Sequence, residues 1–365
     1  MTPPTSWPGV LSTLLSGRDL AAPDSAWAME QVVTGDATPA QIAAFAVALR
    51  GKGESPAEVR SLVEVLLSHS ERVDAGRPCL DVVGTGGDQA HTVNVSTMAA
   101  IVAAAAGAPV VKHGNRAASS RSGTADVLEA LGIALSLDAT GVASCVAEAG
   151  IAFCFAPAFH PSMRHAAGPR REIGIPTVFN ILGPLANPAR PEASLIGCAL
   201  EEMAPVMAQV LVDRGCHAIV VRGADGLDEI SPFAPTVMWD GTDPSSGIRR
   251  VEIGPEALGI PPGPPDGLRG GDPVENASVV RDLLDGERSG RFALIRATVL
   301  ANAAAALVAY DAAAGQRRYG DPGDALLPRI LTAQEDASSA LDSTAARSTL
   351  QRWIEAARSA AGVPG

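Results

Sequence analysis

Leu80-Asp81-Val82-Val83-Gly84-Thr85-Gly86-Gly87-Asp88, followed by Thr92, Asn94, Ser96 and Thr97 at the mouth of an alanine-rich run to Ala106, reads as a β-rich segment, a glycine turn and a helix. The pattern recurs downstream. Pro109 to Val111 leads into a predicted helix from Thr124 to Leu131. Further strands are expected at Ile151 to Phe155, Leu195 to Cys198 and Ala218 to Val221, with helices at Ala139 to Glu148 and Glu201 to Arg214 between them. Short β-rich runs alternating with helices predict an α/β unit with a central, mostly parallel sheet and covering helices.

Upstream of that unit only helices are expected. Thr38-Pro39-Ala40-Gln41 and Ser55-Pro56-Ala57-Glu58 are capping boxes, each opening an apolar-periodic stretch: Ile42, Phe45, Ala46 and Leu49, then Val59, Leu62, Val63, Leu66 and Leu67. Gly35 and Gly51 are expected to end the preceding helices. Downstream, 12 of the 20 residues from Gly254 to Pro273 are Gly or Pro, which predicts a surface loop. Beyond it, Ala277 to Leu284 and Ala293 to Tyr310 read as helices, the second apolar on most faces and expected to be buried.

The glycine turn of the first unit is a candidate anion cradle, because absent side chains and a helix N-terminus present N–H groups to an oxyanion. It matches neither GxxxxGK[ST] nor GxGxxG, since Gln89 stands where a third glycine would be. A tight strand-to-helix turn with a capping serine fits the same residues.

A second candidate turn, Lys112-His113-Gly114-Asn115-Arg116-Ala117-Ala118-Ser119-Ser120, then Gly123, Thr124 and Asp126, follows the neighbouring strand. A solvated basic loop is the alternative. Ligands of open α/β sheets bind at the carboxyl ends of strands, so the two turns are expected to face one cleft and to suit a substrate with phosphates at two separated places. Asp228-Glu229, after the strand ending at Val221, offers hard oxygen ligands of the kind Mg²⁺ takes, and a solvated acidic pair on a surface loop fits the same residues. Arg170 with Arg171 could fork a planar carboxylate or lie solvated on a helix face. The histidines lack a nucleophile at recognisable spacing, so no general acid or base is expected.

Composition narrows the classes. With 28 Lys and Arg against 40 Asp and Glu, the formal charge is −12, which argues against a nucleic-acid binder. Hydrophobic residues make up 47% and charged ones 19%, enough for a large core, and the longest uncharged apolar run, Met98 to Val111, is too short for a membrane span. Met1 to Trp7 does not read as a signal peptide. Five cysteines without a CxxC pair suit a reducing cytoplasm.

The strings Gly84 to Asp88, Asn94 to Thr97, KHGNRAASS at 112–120, GTADVLEALG at 123–132, FAPAFHP at 155–161, RREIG at 170–174, TVFNILGPLANP at 177–188, GLDEI at 226–230 and Glu275-Asn276-Ala277 resemble the anthranilate phosphoribosyltransferase family of tryptophan biosynthesis. The resemblance implies a small helical domain, residues 1–75 completed by an insertion near 162–188. It also implies a large α/β domain, residues 76–365, and a homodimer joined through the helical domains.

The implied substrates are phosphoribosyl pyrophosphate (PRPP) and anthranilate, with Mg²⁺. By the same resemblance PRPP is held by Gly84, Gly87, Asp88, Thr92, Asn94, Val95, Ser96, Thr97, Lys112, His113, Gly114, Asn115, Arg116, Ala117, Ala118, Ser119, Ser120 and Thr124, with Lys112 and Asp88 acting electrostatically. Ser96, Asp228 and Glu229 are the implied metal ligands, and Gly84, Asn115 and Arg170 the implied anthranilate contacts. Two positions depart from the family: Thr124 stands where Ser is frequent, and Pro169 precedes Arg170 where an aliphatic residue is usual. A pyrimidine nucleoside phosphorylase and a non-catalytic nucleic-acid-binding relative are the competing readings.

Overall fold

The computed structural model describes residues 5–117 and 121–363. Four helices come first: α1 (Trp7–Leu15), α2 (Ala22–Thr34), α3 (Pro39–Lys52) and α4 (Pro56–Ser68). Both expected capping boxes form, with Gln41 N–H 3.3 Å from Thr38 Oγ1 and Glu58 N–H 3.4 Å from Ser55 Oγ. Gly35 ends α2 in the left-handed region at φ 82°. Gly51, expected to end a helix, lies inside α3; its terminus is Gly53 at φ 92°. Trp7 packs against Trp27 and Phe45, at centroid distances of 5.3 and 6.1 Å, closing the bundle.

Strand and helix then alternate as β1 (Leu80–Gly84), α5 (Val95–Ala105), β2 (Val110–Gly114), α6 (Thr124–Leu131), α7 (Ala139–Ala149) and β3 (Ile151–Phe155). An insertion follows with α8 (Ala156–Phe159), α9 (Arg164–Ile173) and α10 (Phe179–Leu185), before β4 (Ala193–Gly197), α11 (Ala204–Asp213) and β5 (His217–Gly223). The strands β6 (Thr236–Gly241) and β7 (Arg249–Ile253) complete the sheet, and α12 (Pro273–Leu284), α13 (Phe292–Ala313), α14 (Leu326–Asp342) and α15 (Ala345–Ala360) complete the chain.

The sheet order is β3-β2-β1-β4-β5-β6-β7, with β3 to β5 parallel and β6 and β7 antiparallel. The expected α/β class with a mostly parallel sheet is therefore borne out, with two antiparallel strands, β6 and the edge strand β7, that the sequence reading did not foresee.

Residues of β1 divide by period two between two cores. Leu80 and Val82 join the core built with α5 and α13 to α15, whereas Val83 joins the core shared with α1 to α4, α10 and α11. The helical bundle therefore packs onto one sheet face. By length and composition α13 could cross a bilayer, yet 78% of its most apolar stretch is buried inside the protein. The Gly254–Pro273 segment is also more than a surface loop. Leu258, Ile260 and Leu268 are buried, and Thr92 pairs with Arg269 in an antiparallel bridge. Apolar residues spaced between the prolines anchor it.

Candidate active site

Strand order reverses between β1 and β4, so the turns leaving β1 and β4 diverge and open a crevice at their carboxyl ends. A cavity of about 340 Å³ lies there. Its walls come from the turn after β1, the turn after β2, the Asp228-Glu229 loop after β5, and α9 and α10 of the insertion. The two glycine turns and the acidic pair thus meet at one place.

The turn after β1 is shaped by backbone conformation. Gly86 and Gly87 sit at φ 67° and 86°, and Gln89 and His91 also occupy the left-handed region, at 58° and 51°. The first oxyanions this turn meets are the protein's own. Gly86 N–H donates to Asp228 Oδ2 at 2.7 Å, and Ser96 N–H, an unpaired donor of the first turn of α5, donates to Glu229 Oε1 at 3.2 Å. The carboxylates can approach because β1 and β4 end in glycine: a Cβ on Gly84 would stand 2.3 Å from Asp228 Oδ2, and one on Gly197 only 1.6 Å from the Asp228 carbonyl oxygen. Asp228 is buried, and burial together with the Asp88 carboxylate pushes its pKa up to about 7. Burial, then Asp228, raises that of Glu229 well above the carboxylate range.

Lys112 and His113, expected on a loop, belong to β2. Lys112 is fully buried, its ammonium donating to the Val82 carbonyl and standing 3.2 Å from Ser96 Oγ. A solvated basic turn is thereby excluded for this residue. Burial lowers its pKa against the raising influence of Asp81, Glu229 and Asp228. It lies behind the cavity wall, as does the buried Thr97. His113 does line the cavity, and its Nδ1 donates to the Gly183 carbonyl at 2.9 Å while its ring meets His160 edge-on at 5.2 Å. Burial lowers its pKa to about 3, so it is neutral and weakly basic. Behind the strands, Asp81 accepts from His113 N–H and from Asn187 Nδ2, and burial raises its pKa to about 6.

The remaining assignments divide. Gly84, Gly87, Asp88, Thr92, Asn94, Val95, Ser96, Gly114, Asn115, Ala117 and Thr124 line the cavity. Arg116 also reaches it, but its guanidinium is engaged by Asp126 and Glu129, each at 2.9 Å. Ala118, Ser119 and Ser120 lie outside the described residues. Arg170 lines the cavity from α9, where burial alone lowers its pKa and no carboxylate among the described residues pairs with it. Pro169, one residue before, is accommodated inside α9.

Sequence reasoning missed Gly197, Gly271 and Phe179 as wall-forming or shaping residues, and it quoted Asn276 without giving it a role. Only close approach in three dimensions distinguishes such residues.

Among the described residues no three His, Cys, Asp or Glu side chains are gathered to hold a metal by themselves. The oxygen donor set of Asp228 and Glu229, with pKa values raised by burial and by neighbouring carboxylates, Asp88 for the first and Asp228 for the second, fits a hard divalent cation that completes its shell from substrate oxygens and water.

The glycosyl transferase family a/b domain matches residues 76–319, and the glycosyl transferase family helical bundle domain matches residues 8–70. An anthranilate phosphoribosyltransferase of Saccharopolyspora erythraea is 53% identical over 350 residues, covering 96% of this chain and 95% of the relative. The crystal structure of the Thermus thermophilus anthranilate phosphoribosyltransferase superposes with a TM-score of 0.82 at 36% identity, covering 96% of this chain and 99% of that one. The Saccharomyces cerevisiae enzyme in complex with PRPP and Mg superposes with a TM-score of 0.81 at 28% identity, covering 97% and 98% of the two chains.

Proposed function

The chain belongs to the anthranilate phosphoribosyltransferase family, and on that premise we propose how its residues share the work of the reaction. The enzyme transfers the phosphoribosyl group of PRPP to the amine of anthranilate, giving N-(5-phosphoribosyl)anthranilate and pyrophosphate, a step of tryptophan biosynthesis. Family membership takes precedence over the nucleoside phosphorylase and nucleic-acid-binding readings.

One observation carries the division of labour: both glycine turns, the acidic pair and an uncompensated arginine face one cavity of about 340 Å³. PRPP lies along the turns after β1 and β2, with Gly87, Asn94, Ser96 and Thr124 supplying donors. Asp228 and Glu229, with Ser96, hold Mg²⁺, and the ion when bound neutralises charge on the departing pyrophosphate. Lys112 acts from behind the wall, holding Ser96 and balancing the buried carboxylates. Asp88 contributes electrostatically at the turn. Arg170 reads the carboxylate of anthranilate, with Gly84 and Asn115 close to the amine, because a guanidinium without a counter-charge among the described residues favours an anionic partner.

The amine attacks ribose C1 as pyrophosphate leaves, and its proton passes to solvent or to the pyrophosphate. An aryl amine is already neutral at neutral pH, so leaving-group stabilisation by pre-organised charge dominates and a strong general base is dispensable. The weakly basic His113 agrees with that division.

The proposal also divides the chain into a helical domain, residues 1–75 with 162–188, and an α/β domain, residues 76–365. The separate family matches to 8–70 and 76–319 support the division. Exposed Leu15, Val47 and Ile175 on the helical side support a homodimer joined there. Five free, buried cysteines support a reducing, cytoplasmic setting. Mixing the protein with PRPP, Mg²⁺ and anthranilate tests the core of the proposal. Anthranilate fluorescence is expected to fall only when all three are present, and metal-independent turnover would overturn the Asp228 and Glu229 assignment.

A further inference from the structure

Asn276, in the first turn of α12, is 2% exposed, and the two ends of its amide are committed in opposite directions. Gly271 N–H donates to Asn276 Oδ1 at 2.8 Å. A backbone N–H is only a donor, so this contact demands the oxygen and turns the nitrogen of Asn276 to the other side. There it stands 2.8 Å from Asn94 Oδ1. Asn94 must accept at that contact, which leaves its own NH₂ as the group it can offer to the cavity that both residues line.

We propose that Asn276 is a positioning residue that sets the amide orientation of Asn94, so that Asn94 presents N–H donors rather than a carbonyl oxygen to a phosphate of the substrate. The relay rests on the reading that PRPP lies against Asn94.

Each link is stiff. Asp272 Oδ1 accepts from Val274 N–H and Glu275 N–H, both at 2.9 Å, and Glu275 Oε2 accepts from Asp272 N–H at 2.8 Å, which fixes the turn immediately before Asn276. The glycine pair at 270 and 271 brings the backbone close enough to start the chain. Gly270 N–H donates to the His91 carbonyl at 2.7 Å, and a Cβ on Gly270 would stand 2.6 Å from the Thr92 carbonyl oxygen. The proline-rich segment thereby connects to the phosphate turn through the backbone bridge and, independently, through the Asn276 amide.

Asn276→Asp retains the shape and the acceptor for Gly271 but removes the donor. The Asn94 amide then rotates to donate to the introduced carboxylate, and its oxygen turns toward the substrate. Steady-state kinetics with Mg²⁺ are expected to give a PRPP KM raised at least about tenfold, the scale of a lost hydrogen bond to a charged group, while the anthranilate KM stays within about twofold. In an Asn94→Ala background the same substitution is expected to have no further effect on the PRPP KM. An unchanged PRPP KM in the single variant, or equal effects in both backgrounds, would overturn the relay. An Asn94→Ala variant with an unaltered PRPP KM would instead overturn the substrate placement beneath it. Should Asn276→Asp not fold, selective nitrogen-isotope labelling of asparagine in the unaltered protein reads the same point. PRPP is expected to shift the Asn94 side-chain amide while the Asn276 amide stays protected from exchange, and an Asn94 amide indifferent to PRPP overturns the proposal.

Discussion

Lys112 Nζ stands 3.2 Å from Ser96 Oγ, so a fully buried ammonium braces the helix start that faces the acidic pair. Its charge also faces Asp81, Glu229 and Asp228. Lys112→Met removes that charge and leaves buried carboxylates uncompensated. A destabilisation of about 3–5 kcal/mol is expected in urea unfolding, together with reduced turnover. Unchanged stability would show that the lysine does not balance the carboxylates.

Gly197 is the second tight point. The Cβ of Gly197→Ala would meet the Asp228 carbonyl oxygen at 1.6 Å, so the Asp228-Glu229 loop must move away from β4. A loss of about 1–3 kcal/mol is expected from overpacking, with a lower kcat at saturating substrates. The chemical counterpart, Asp228→Asn with Glu229→Gln, keeps the volume and removes the charge; kcat is expected to fall roughly 10²-fold or more. Wild-type turnover in the alanine variant would show that the loop tolerates displacement, and in the amide variant that the acidic pair is not needed.

Arg170→Ala is expected to raise the KM for anthranilate at least about tenfold and to leave that for PRPP unaltered, as for the loss of a charge-assisted contact to one substrate alone. Initial-rate measurements varying each substrate separate the two; an unchanged anthranilate KM removes Arg170 from the acceptor site.

Buried His113 links stability to pH. Its pKa falls from 6.5 to about 3 in the folded state, so between those values the unfolded chain binds more protons. Stability is therefore lost as pH falls through 6.5 toward 3, by up to about 1.4 kcal/mol per pH unit from this group. Asp81, with its pKa raised to about 6, acts in the opposite direction, so the comparison needed is between variant and wild type. His113→Asn retains a donor for Gly183 and is expected to flatten the fall in stability on acidification. Parallel pH dependences would assign it to other groups.

The helical surface gives a test of assembly. Leu15 is 78% exposed and Val47 45%. The protein is expected to sediment as a dimer, and Leu15→Glu with Val47→Glu as a monomer; a monomeric wild type would refute the proposed association.

The parallel half of the sheet was legible because its strands are apolar runs ended by glycine or followed by helix-forming stretches, and the N-terminal helices because Thr38 and Ser55 announce them locally. β7, Arg249 to Ile253, carries three charged residues at the sheet edge and lacks the apolar run that marks a buried strand. Lys112 looked like the start of a loop because a charge ends an apolar run; only the packing of Ser96 and Asp81 around it makes that charge tolerable inside a strand. The Gly254–Pro273 segment read as a connector because Gly and Pro mark irregular backbone, and irregular backbone can still be anchored by three buried side chains. Asn276 lies 182 positions from Asn94, to which it donates, a relationship that no local spacing encodes.

The insertion after β3 supplies the wall that carries Arg170, whereas the sheet turns supply the wall along which the proposal lays PRPP. On the proposed assignments, the grip on the acceptor's carboxylate and the grip on the donor are therefore housed in separable parts of the chain. On that proposal, variation confined to residues 162–188 reshapes the wall that meets the aromatic acid while the turns assigned to the sugar are left untouched.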